Sequence, residues 1–374
     1  MATSTLSLLL AIAAIPVLVG WVWVAKRHLS GVTGAITALA VAVIIGVAQL
    51  GVVRASGGDH FDAMAVVYLD LVLVLPMVAA LALLGGVLGR RRGLPHLGRV
   101  ATVVAVLVLL AAPVGFYTTH IEPYAVSVDR VVQTLPDERE GDDVVRVGVL
   151  TDLQTTEIGG YERRAVRLLN ETEPDVVLIG GDLFQGTPEQ FQANRGELRD
   201  LMTDIEAPGG VYVVEGDTDD AATLEEMFAG TSVTYLWNEV TETEVGDRTI
   251  RVAGLGLNRG RDYQAGVAAI DQLIAGPSST VTIALGHRPD WVFDMPRGEV
   301  DLVVAGHTHG GQIQLPFFGP VMTQTEVPRD VAGGGLHEVG GTPIYVSRGV
   351  GHEQQGAPQV RFLAPPSVGL ITLR

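Results

Sequence analysis

Asp301-Leu-Val-Val-Ala305 runs directly into Gly306-His-Thr-His-Gly-Gly-Gln312, and no other stretch of the chain says more about the fold. The apolar run is typical of a buried strand, and the glycines after it indicate a tight turn. Two imidazoles one residue apart on such a turn can point in different directions, and glycine leaves room for a bulky ligand. The segment therefore favours metal coordination over packing. The alternative is a turn that happens to hold two histidines.

The same arrangement recurs at four other strand ends. Each apolar run is followed by an Asp or a His, mostly beside glycine, at Asp152, at Gly181-Asp182, at Gly216-Asp217 and at Gly286-His287. One Asp after a strand is ordinary, because it caps the next helix. Three carboxylates and three imidazoles at one sheet edge would carry poorly paired charge unless cations lay among them. A mixed oxygen and nitrogen shell suits Mn, Fe or Zn better than Ca.

From residue 144 onward, β-branched runs alternate with amphipathic segments. The alternation predicts an α/β sandwich with ligands at the carboxyl ends of the strands. We expect strands over 144–150, 175–180, 210–214, 232–237, 249–255, 281–285, 301–305, 344–347 and 368–373, and helices over 161–172, 189–205 and 221–229.

Four apolar stretches fill the N-terminal third, at about 5–25, 31–53, 63–89 and 98–118. Each reaches the roughly 20 residues that a helix needs to cross the hydrocarbon core. A signal peptide accounts for the first stretch alone. We therefore predict a four-helix transmembrane region over 1–118, a linker over 119–143 that can hold an initial strand, and a catalytic domain over 144–374.

Basic residues in the short loops predict the orientation in the membrane. Lys26-Arg27 lies between the first two helices, and Arg90-Arg-Arg92 with Arg99 lies between the last two. Because basic loops stay in the cytoplasm, both termini and the catalytic domain are expected on the extracytoplasmic side of the cell membrane.

Asp70 falls within the third apolar stretch, and a carboxylate inside a membrane span indicates a functional site. The interpretation that we favour is a hydrated or hydrogen-bonded residue near the outer end of the span. A carrier formed by the four helices is a weaker hypothesis, and Asp70 is its only support.

The distribution of charge excludes one class of partner. Residues 1–120 carry a balance of +4, so residues 121–374 carry −21 of a chain whose net charge is −17. An acidic domain of this kind repels nucleic acid, so we expect no nucleic-acid partner. The chain has no cysteine, which excludes thiolate ligands, cysteine nucleophiles and disulfides.

The order of these motifs resembles that of the calcineurin-like metallophosphoesterases over about 144–374. Gly286-His-Arg-Pro-Asp290, Gly306–Gln312 and Tyr345–Gly351 are similar to the membrane-associated branch that includes UDP-diacylglucosamine pyrophosphatase-type enzymes. The resemblance implies a metallophosphoesterase β-sandwich flanked by helices, with two divalent ions of the Mn, Fe or Zn type. It also implies a metal-generated nucleophile for in-line attack on phosphorus.

The resemblance implies a role in metal binding for each residue that matches the family's motifs. Asp182 would bridge the two metals. Asp152 and His309, with Gln154 at a position usually His, would hold the first metal, and Asp217, His287 and His307 would hold the second. Asp182, Asp217, His287 and Thr218 are the residues expected to take part in catalysis.

The chain departs from the family pattern at three positions. Gln154 replaces a histidine and is a weaker, neutral donor, whereas Asp217 replaces an asparagine and adds a negative ligand. Thr218 stands where the family has a histidine that is thought to assist the leaving group, and threonine cannot act as an acid near neutral pH. Three explanations stay open: a good leaving group such as a phosphoanhydride, help from His337 or His352, or decayed catalysis.

For several other residues, two interpretations stay open. Arg288 and Arg348 would bind a substrate phosphate, or they are ordinary surface arginines. His337 and His352 are more typical of solvated loop histidines. Trp237, Trp291 and Leu315-Pro-Phe-Phe318 favour core or loop packing, although near a bilayer Leu315–Phe318 could contact acyl chains.

The sequence therefore favours a membrane-anchored dimetal phosphohydrolase that acts on a phosphorylated small molecule or a lipid-linked phosphoester or pyrophosphate. The second hypothesis is a catalytically weak metal-binding sensor or accessory protein of a membrane assembly, which Gln154 and Thr218 motivate.

Overall fold

The computed structural model describes residues 3–28, 31–58, 60–91, 99–257, 263–354 and 356–374. The chain divides into two compact units. The first comprises Met1–Ile121 with Glu353–Gln359, and the second comprises Glu122–His352 with Val360–Arg374. Arg92 of the predicted basic loop lies outside the described residues.

Helices make up the first unit. They are α1 (Thr3–His28), α2 (Gly31–Ala55), α3 (His60–Leu69), α4 (Leu75–Arg91), α5 (Arg99–Leu109) and α6 (Ala111–His120). A π-helical turn, Asp70–Val74, joins α3 to α4. Pro76 follows this turn, and because proline has no N–H to donate, it disturbs the hydrogen-bond pattern there. The Gln49 amide of α2 donates to Asp70 Oδ1 at 3.3 Å, so this carboxyl has a polar partner within the unit.

Two helical stretches are long and apolar enough to cross a membrane, His60–Leu88 and Ala101–Tyr124. Within α1 and α2, the apolar stretches that can be described, Leu8–Gly20 and Ala40–Ala55, are shorter. Two such stretches support membrane association only weakly, and the predicted region of four spanning helices is not confirmed.

Two six-stranded sheets dominate the second unit. The first sheet has the order β1-β14-β2-β3-β4-β5 and the second β12-β13-β9-β8-β7-β6, while β10 and β11 form a separate hairpin. Their bounds are β1 Ser127–Gln133, β2 Val145–Leu150, β3 Val176–Ile179, β4 Val211–Val213, β5 Val233–Tyr235, β6 Glu239–Val245, β7 Arg248–Gly254, β8 Val281–Leu285, β9 Leu302–Ala305, β10 Gln314–Leu315, β11 Gly319–Pro320, β12 Gly335–Val339, β13 Thr342–Val346 and β14 Ser367–Leu373.

The two sheets pack face to face, and helices cover their outer faces. Val147, Val149 and Leu178 of the first sheet share one buried cluster with Val252 and Ile283 of the second. Alternate side chains of the same strands point outward, because successive residues of a strand face opposite sides. The outward-facing residues pack against α7 (Gly160–Asn170), α8 (Pro188–Thr203) and α9 (Ala221–Phe228) on one side, and against α10 (Tyr263–Ile274) and α11 (Arg329–Ala332) on the other.

Parallel pairing places the polar strand ends together. β2, β3 and β4 are mutually parallel, as are β7, β8 and β9. Their carboxyl ends therefore meet at one edge of the sandwich, where loops after each strand form a shared site. The α/β sandwich that we predicted from the alternating pattern is confirmed.

Several elements differ from the prediction. β6 alternates Thr and Glu rather than forming an apolar run, and it pairs antiparallel with β7 along its full length. α10, the β10–β11 hairpin and β12 were not predicted. The initial strand that the linker was expected to allow is present: Ser127–Gln133 forms β1, which pairs parallel with β14 inside the first sheet.

Candidate metal centre

Strained backbone marks the turns at this edge. Asp152, Gln154, Asp182, His307 and His309 all have positive φ, between 35° and 69°. Residues other than glycine rarely adopt this left-handed region, and it clusters at functional sites when the surrounding structure enforces it. The backbone therefore holds these side chains in directions that an ordinary strand-to-helix turn would not give.

Glycines allow the turns to approach one another closely. A Cβ at Gly216 would lie 2.2 Å from the Asp182 amide nitrogen, and a Cβ at Gly306 would lie 2.4 Å from Asp152 Oδ2. A side chain at Gly216 would push the Asp182 backbone away, and one at Gly306 would displace the Asp152 carboxylate.

Two groups of possible ligands result. Asp152, Asp182 and His309 form the first group and Asp217, His287 and His307 the second, and within each group the candidate ligand atoms lie within 4.8 Å of one another. His287 Nε2 lies 3.4 Å from Asp182 Oδ2, so Asp182 lies between the two groups.

The separations between donor atoms fit a shared ion. His309 Nε2 lies 3.6 Å from Asp152 Oδ1, His287 Nε2 lies 3.6 Å from Asp217 Oδ2, and His307 Nδ1 lies 2.9 Å from the same oxygen. Ligands bound to one ion by bonds of about 2.1 Å are separated by about 3.0–3.4 Å, and each of the three distances lies within a few tenths of an ångström of that range. Asp152 Oδ2 is buried and has no hydrogen-bond partner among the described residues, as expected of a metal ligand. The residues therefore fit divalent metal ions.

Hydrogen bonds fix which ring nitrogen of each histidine faces its group. His287 Nδ1 lies 2.7 Å from the Gly180 carbonyl, and His307 Nε2 lies 3.1 Å from the Gln324 carbonyl. When these nitrogens carry the single N–H of a neutral imidazole, Nε2 of His287 and Nδ1 of His307 have free lone pairs for a metal.

Asp219 joins the two turns that carry Asp182 and Asp217. Its carboxylate accepts backbone N–H bonds from Asp182 at 2.6 Å, from Gly216 at 2.9 Å and from Leu183 at 3.0 Å. The Thr218 N–H in turn donates to Asp182 Oδ1 at 2.8 Å. The Asp182 carboxylate is thus held by the adjacent turn.

The charges of the site are partly balanced by its own residues. Burial alone would raise the pKa of Asp182, but His287 outweighs it and lowers that pKa to about 2. Burial would lower the pKa of His287, but Asp182 and Asp217 raise it well above its usual value. Burial lowers the pKa of His309 to about 4, so this imidazole is neutral at pH 7 and available as a ligand.

The structure gives specific partners to the other predicted site residues. Gln154 donates from Nε2 to Asp182 Oδ2 at 2.8 Å, so ligation through its oxygen requires the amide to turn over. The Thr218 hydroxyl is buried without a hydrogen-bond partner. Arg288 pairs with Asp217 Oδ1 at 2.5 Å, and the Arg348 Nε donates to the Gly333 carbonyl at 3.4 Å. Arg288 thus faces the negative charge that Asp217 adds.

The predictions for the remaining candidates are partly wrong. His352 is buried and His337 is half-buried within β12, so neither is a solvated loop histidine. Trp291 is buried in the core as expected. Leu315, Phe317 and Phe318 are exposed, because they lie on the β10–β11 hairpin rather than under a loop.

Arg361 is a residue that the sequence did not single out. It is fully buried, and its guanidinium donates to the carbonyls of His309, Ala364, Gly349 and Gly351. The Gly351 N–H in turn donates to the Asp152 carbonyl at 2.7 Å. Burial lowers the pKa of Arg361 to about 10, which leaves it charged at neutral pH. Arg361 therefore connects the turns of Asp152 and His309, 52 residues from the latter in sequence.

Residues 145–311 match the family model described as calcineurin-like phosphoesterase. Residues 145–311 thus carry a calcineurin-like metallophosphoesterase domain. Members of this family use dimetal centres, and the two groups of ligands agree with that. The match identifies the chain as a metal-dependent phosphoesterase.

The names of similar proteins agree with this family match. The chain is 27% identical to the uncharacterized metallophosphoesterase YkuE of Bacillus subtilis, over 69% of this chain and 89% of that protein. It is 29% identical to the phosphodiesterase YaeI of Escherichia coli, over 50% of this chain and 67% of the relative. It is 23% identical to the UDP-2,3-diacylglucosamine pyrophosphatase LpxG of Chlamydia trachomatis, over 73% of this chain and 97% of the relative.

We predict that Arg361→Met weakens metal binding at the Asp152–His309 group by about 10- to 100-fold, because residues that orient metal ligands have effects of that size. The His287–His307 group should bind metal with a smaller change. Isothermal titration of the full chain in detergent with Mn²⁺ resolves the two affinities.

The control for Arg361→Met is Arg251→Met, which also removes a buried arginine but one that donates to the Leu273 carbonyl. It should leave both affinities unchanged. Equal weakening of both groups in Arg361→Met, or none in either, would contradict the assigned role.

Proposed function

We propose that this chain is a membrane-anchored dimetal phosphohydrolase that cleaves phosphoester or pyrophosphate bonds, with lipid-linked phosphates among its substrates. The observation that carries the proposal is Asp182, which lies between two groups of metal-type ligands at one sheet edge. Two divalent ions, when bound, supply Lewis acidity and the nucleophile for attack on phosphorus.

The net charge of the site favours an anionic substrate. Two divalent cations outweigh the three carboxylates Asp152, Asp182 and Asp217. The excess positive charge attracts a phosphate even though the surrounding domain is acidic. Arg288, whose side chain is 41% exposed, lies beside Asp217 and can donate to a phosphate oxygen from its remaining N–H groups.

Thr218 restricts the leaving group. Its hydroxyl can donate a hydrogen bond, but it cannot protonate an alkoxide near neutral pH. Phosphoanhydrides and aryl phosphates leave without such help, so we propose that they react faster than alkyl esters.

The membrane arrangement is part of the proposal. The four apolar stretches of residues 1–118 form the anchor, and the basic loops at Lys26-Arg27 and Arg90–Arg92 lie in the cytoplasm. The metallophosphoesterase domain then faces the extracytoplasmic side. A reporter fused after Arg374 should be active only outside the cytoplasm, and activity confined to the cytoplasm would contradict this topology.

The second candidate function is a metal-binding sensor without appreciable turnover. The contact that favours it is the Gln154 amide on Asp182, which directs nitrogen rather than oxygen towards the bridging carboxylate. A sensor would bind both ions and change its properties with metal, but it would not hydrolyse phosphate esters.

Activity of the full chain distinguishes the two. Loaded with Mn²⁺, Zn²⁺ or Fe²⁺ in detergent micelles, the protein should hydrolyse bis-p-nitrophenyl phosphate and pyrophosphate. Asp182→Ala should lower kcat by at least about a thousandfold, because it removes the ligand shared by both groups. Asp200→Ala removes an exposed carboxylate of α8 and serves as the control. If the protein binds two ions but hydrolyses neither substrate with any of the three metals, the sensor is favoured.

Thr218→His tests the leaving-group argument. The new imidazole can donate a proton, an effect typically worth about 10²–10⁴-fold. We expect kcat for an alkyl phosphodiester to rise at least about tenfold and kcat for pyrophosphate to change much less. An equal effect on both substrates would show that Thr218 does not limit departure of the leaving group.

A further inference from the structure

An apolar hairpin projects beside the candidate metal centre. On the β10–β11 hairpin, Leu315 is 44% exposed and Phe318 is 55% exposed, and Phe317 at the tip is fully exposed with φ at 66°. Large apolar side chains grouped in this way mark an interaction site, whereas single exposed ones need no explanation.

The hairpin is held in place by hydrogen bonds. The Gln314 side chain donates to the carbonyls of Gly310 at 3.1 Å and Gly333 at 2.9 Å, and the Gln314 N–H donates to Phe362 at 2.8 Å. The Arg329 guanidinium donates to the Pro320 carbonyl and lies 4.5 Å from the ring centroid of Phe318. The apolar tip is therefore presented by a defined backbone.

The β11 side of the hairpin contacts the turn that carries two metal ligands in two places. A Cβ on Gly311 would lie 2.5 Å from Pro320, so this glycine packs directly on β11. Four residues after β11, the Gln324 carbonyl lies 3.1 Å from His307 Nε2. The hairpin is consequently part of the rim of the metal centre.

The apolar surface extends beyond the hairpin. Val321 is 48% exposed, and Leu363 is 49% exposed beside Phe362, which is bridged to Ile313. No charged residue occurs from Gly310 to Thr325, although the chain from residue 121 onward carries −21. Arg329 is a cation beside this surface.

We propose that this surface, Leu315–Phe318 with Val321 and Leu363, inserts into the acyl layer of a lipid bilayer and presents the metal centre to phosphoesters whose acyl chains lie in that bilayer. The proposal rests on the membrane-anchored phosphohydrolase proposed above. It identifies the substrate class as amphiphilic, with the phosphate at headgroup level and the chains alongside Phe317.

Two features favour a bilayer over a soluble partner. β1 begins at Ser127, three residues after the apolar stretch Ala101–Tyr124 ends, so the chain keeps the domain close to any membrane that this stretch enters. An acidic domain is repelled by anionic headgroups, and an uncharged aromatic surface with one adjacent arginine is the part that can approach them.

The chain has no cysteine, so a single introduced cysteine can carry a fluorophore. Phe317→Cys labelled with nitrobenzoxadiazole is reconstituted as the full chain into phosphatidylcholine nanodiscs, with and without doxyl-labelled phosphatidylcholine. We expect a blue-shifted emission that the doxyl lipid quenches. Val144→Cys is the matched control, because Val144 is 49% exposed and precedes β2 at the opposite edge of the sheet. Its emission should be that of a solvent-exposed dye.

Two fluorescence outcomes would overturn the proposal. Emission from position 317 that matches the control, with no quenching, would place the hairpin in water. A blue-shifted emission without quenching by doxyl lipid would show that protein covers the hairpin instead. Neither outcome depends on turnover, so the proposed hydrolysis and the proposed insertion can fail separately.

A kinetic arm tests the substrate class. Hexadecyl and methyl p-nitrophenyl phosphate share a leaving group and differ only in the acyl-like chain. Phe317→Ser should lower the ratio of kcat/KM for the hexadecyl ester to that for the methyl ester about tenfold, because contact with the chain is lost. Val144→Ser should leave the ratio unchanged. An unchanged ratio in Phe317→Ser would contradict a role in receiving lipid chains.

Discussion

The second unit depends on one electrostatic constraint: the buried carboxylate of Asp182 must be held beside other charged groups and kept ionised. One adjacent turn holds it, since the Thr218 N–H donates to Asp182 Oδ1 and the neighbouring Asp219 carboxylate accepts the Asp182 N–H. Buried charges with imperfect protein partners are costly unless cations compensate them. The same constraint explains why several ligand positions have left-handed backbone and why glycines surround them.

The sheets place these turns, and the second layer of contacts orients them. Parallel strands on both sheets end at one edge, so residues far apart in sequence share a site. Arg361 shows how far this support extends, because its guanidinium contacts carbonyls on the turns of both His309 and Gly351. Beyond the ligands, the β10–β11 hairpin forms part of the rim of the centre and carries exposed apolar side chains.

Much of this arrangement could be predicted from sequence, because each ligand lies just after a β-branched run, mostly beside glycine. The same reasoning named the six residues that the structure brings together. Arg361 could not be predicted, since its partners are backbone carbonyls that converge only after folding. β6 was missed because its alternating Thr and Glu residues pair with β7 without an apolar run. The partners of Gln154 and Arg288 also depend on side-chain directions that sequence spacing does not determine. The same limit applied to the hairpin, whose apolar residues face outward.

The central claim is that Asp182 joins two metal positions in one site. Anomalous X-ray diffraction from crystals of the Mn²⁺-loaded full chain, collected at the manganese edge, measures this directly. We predict two anomalous peaks about 3.5–4 Å apart, with Asp182 between them. One peak lies beside Asp152 and His309, and the other beside His287 and His307. A single peak, or two peaks that do not share Asp182, would contradict the account.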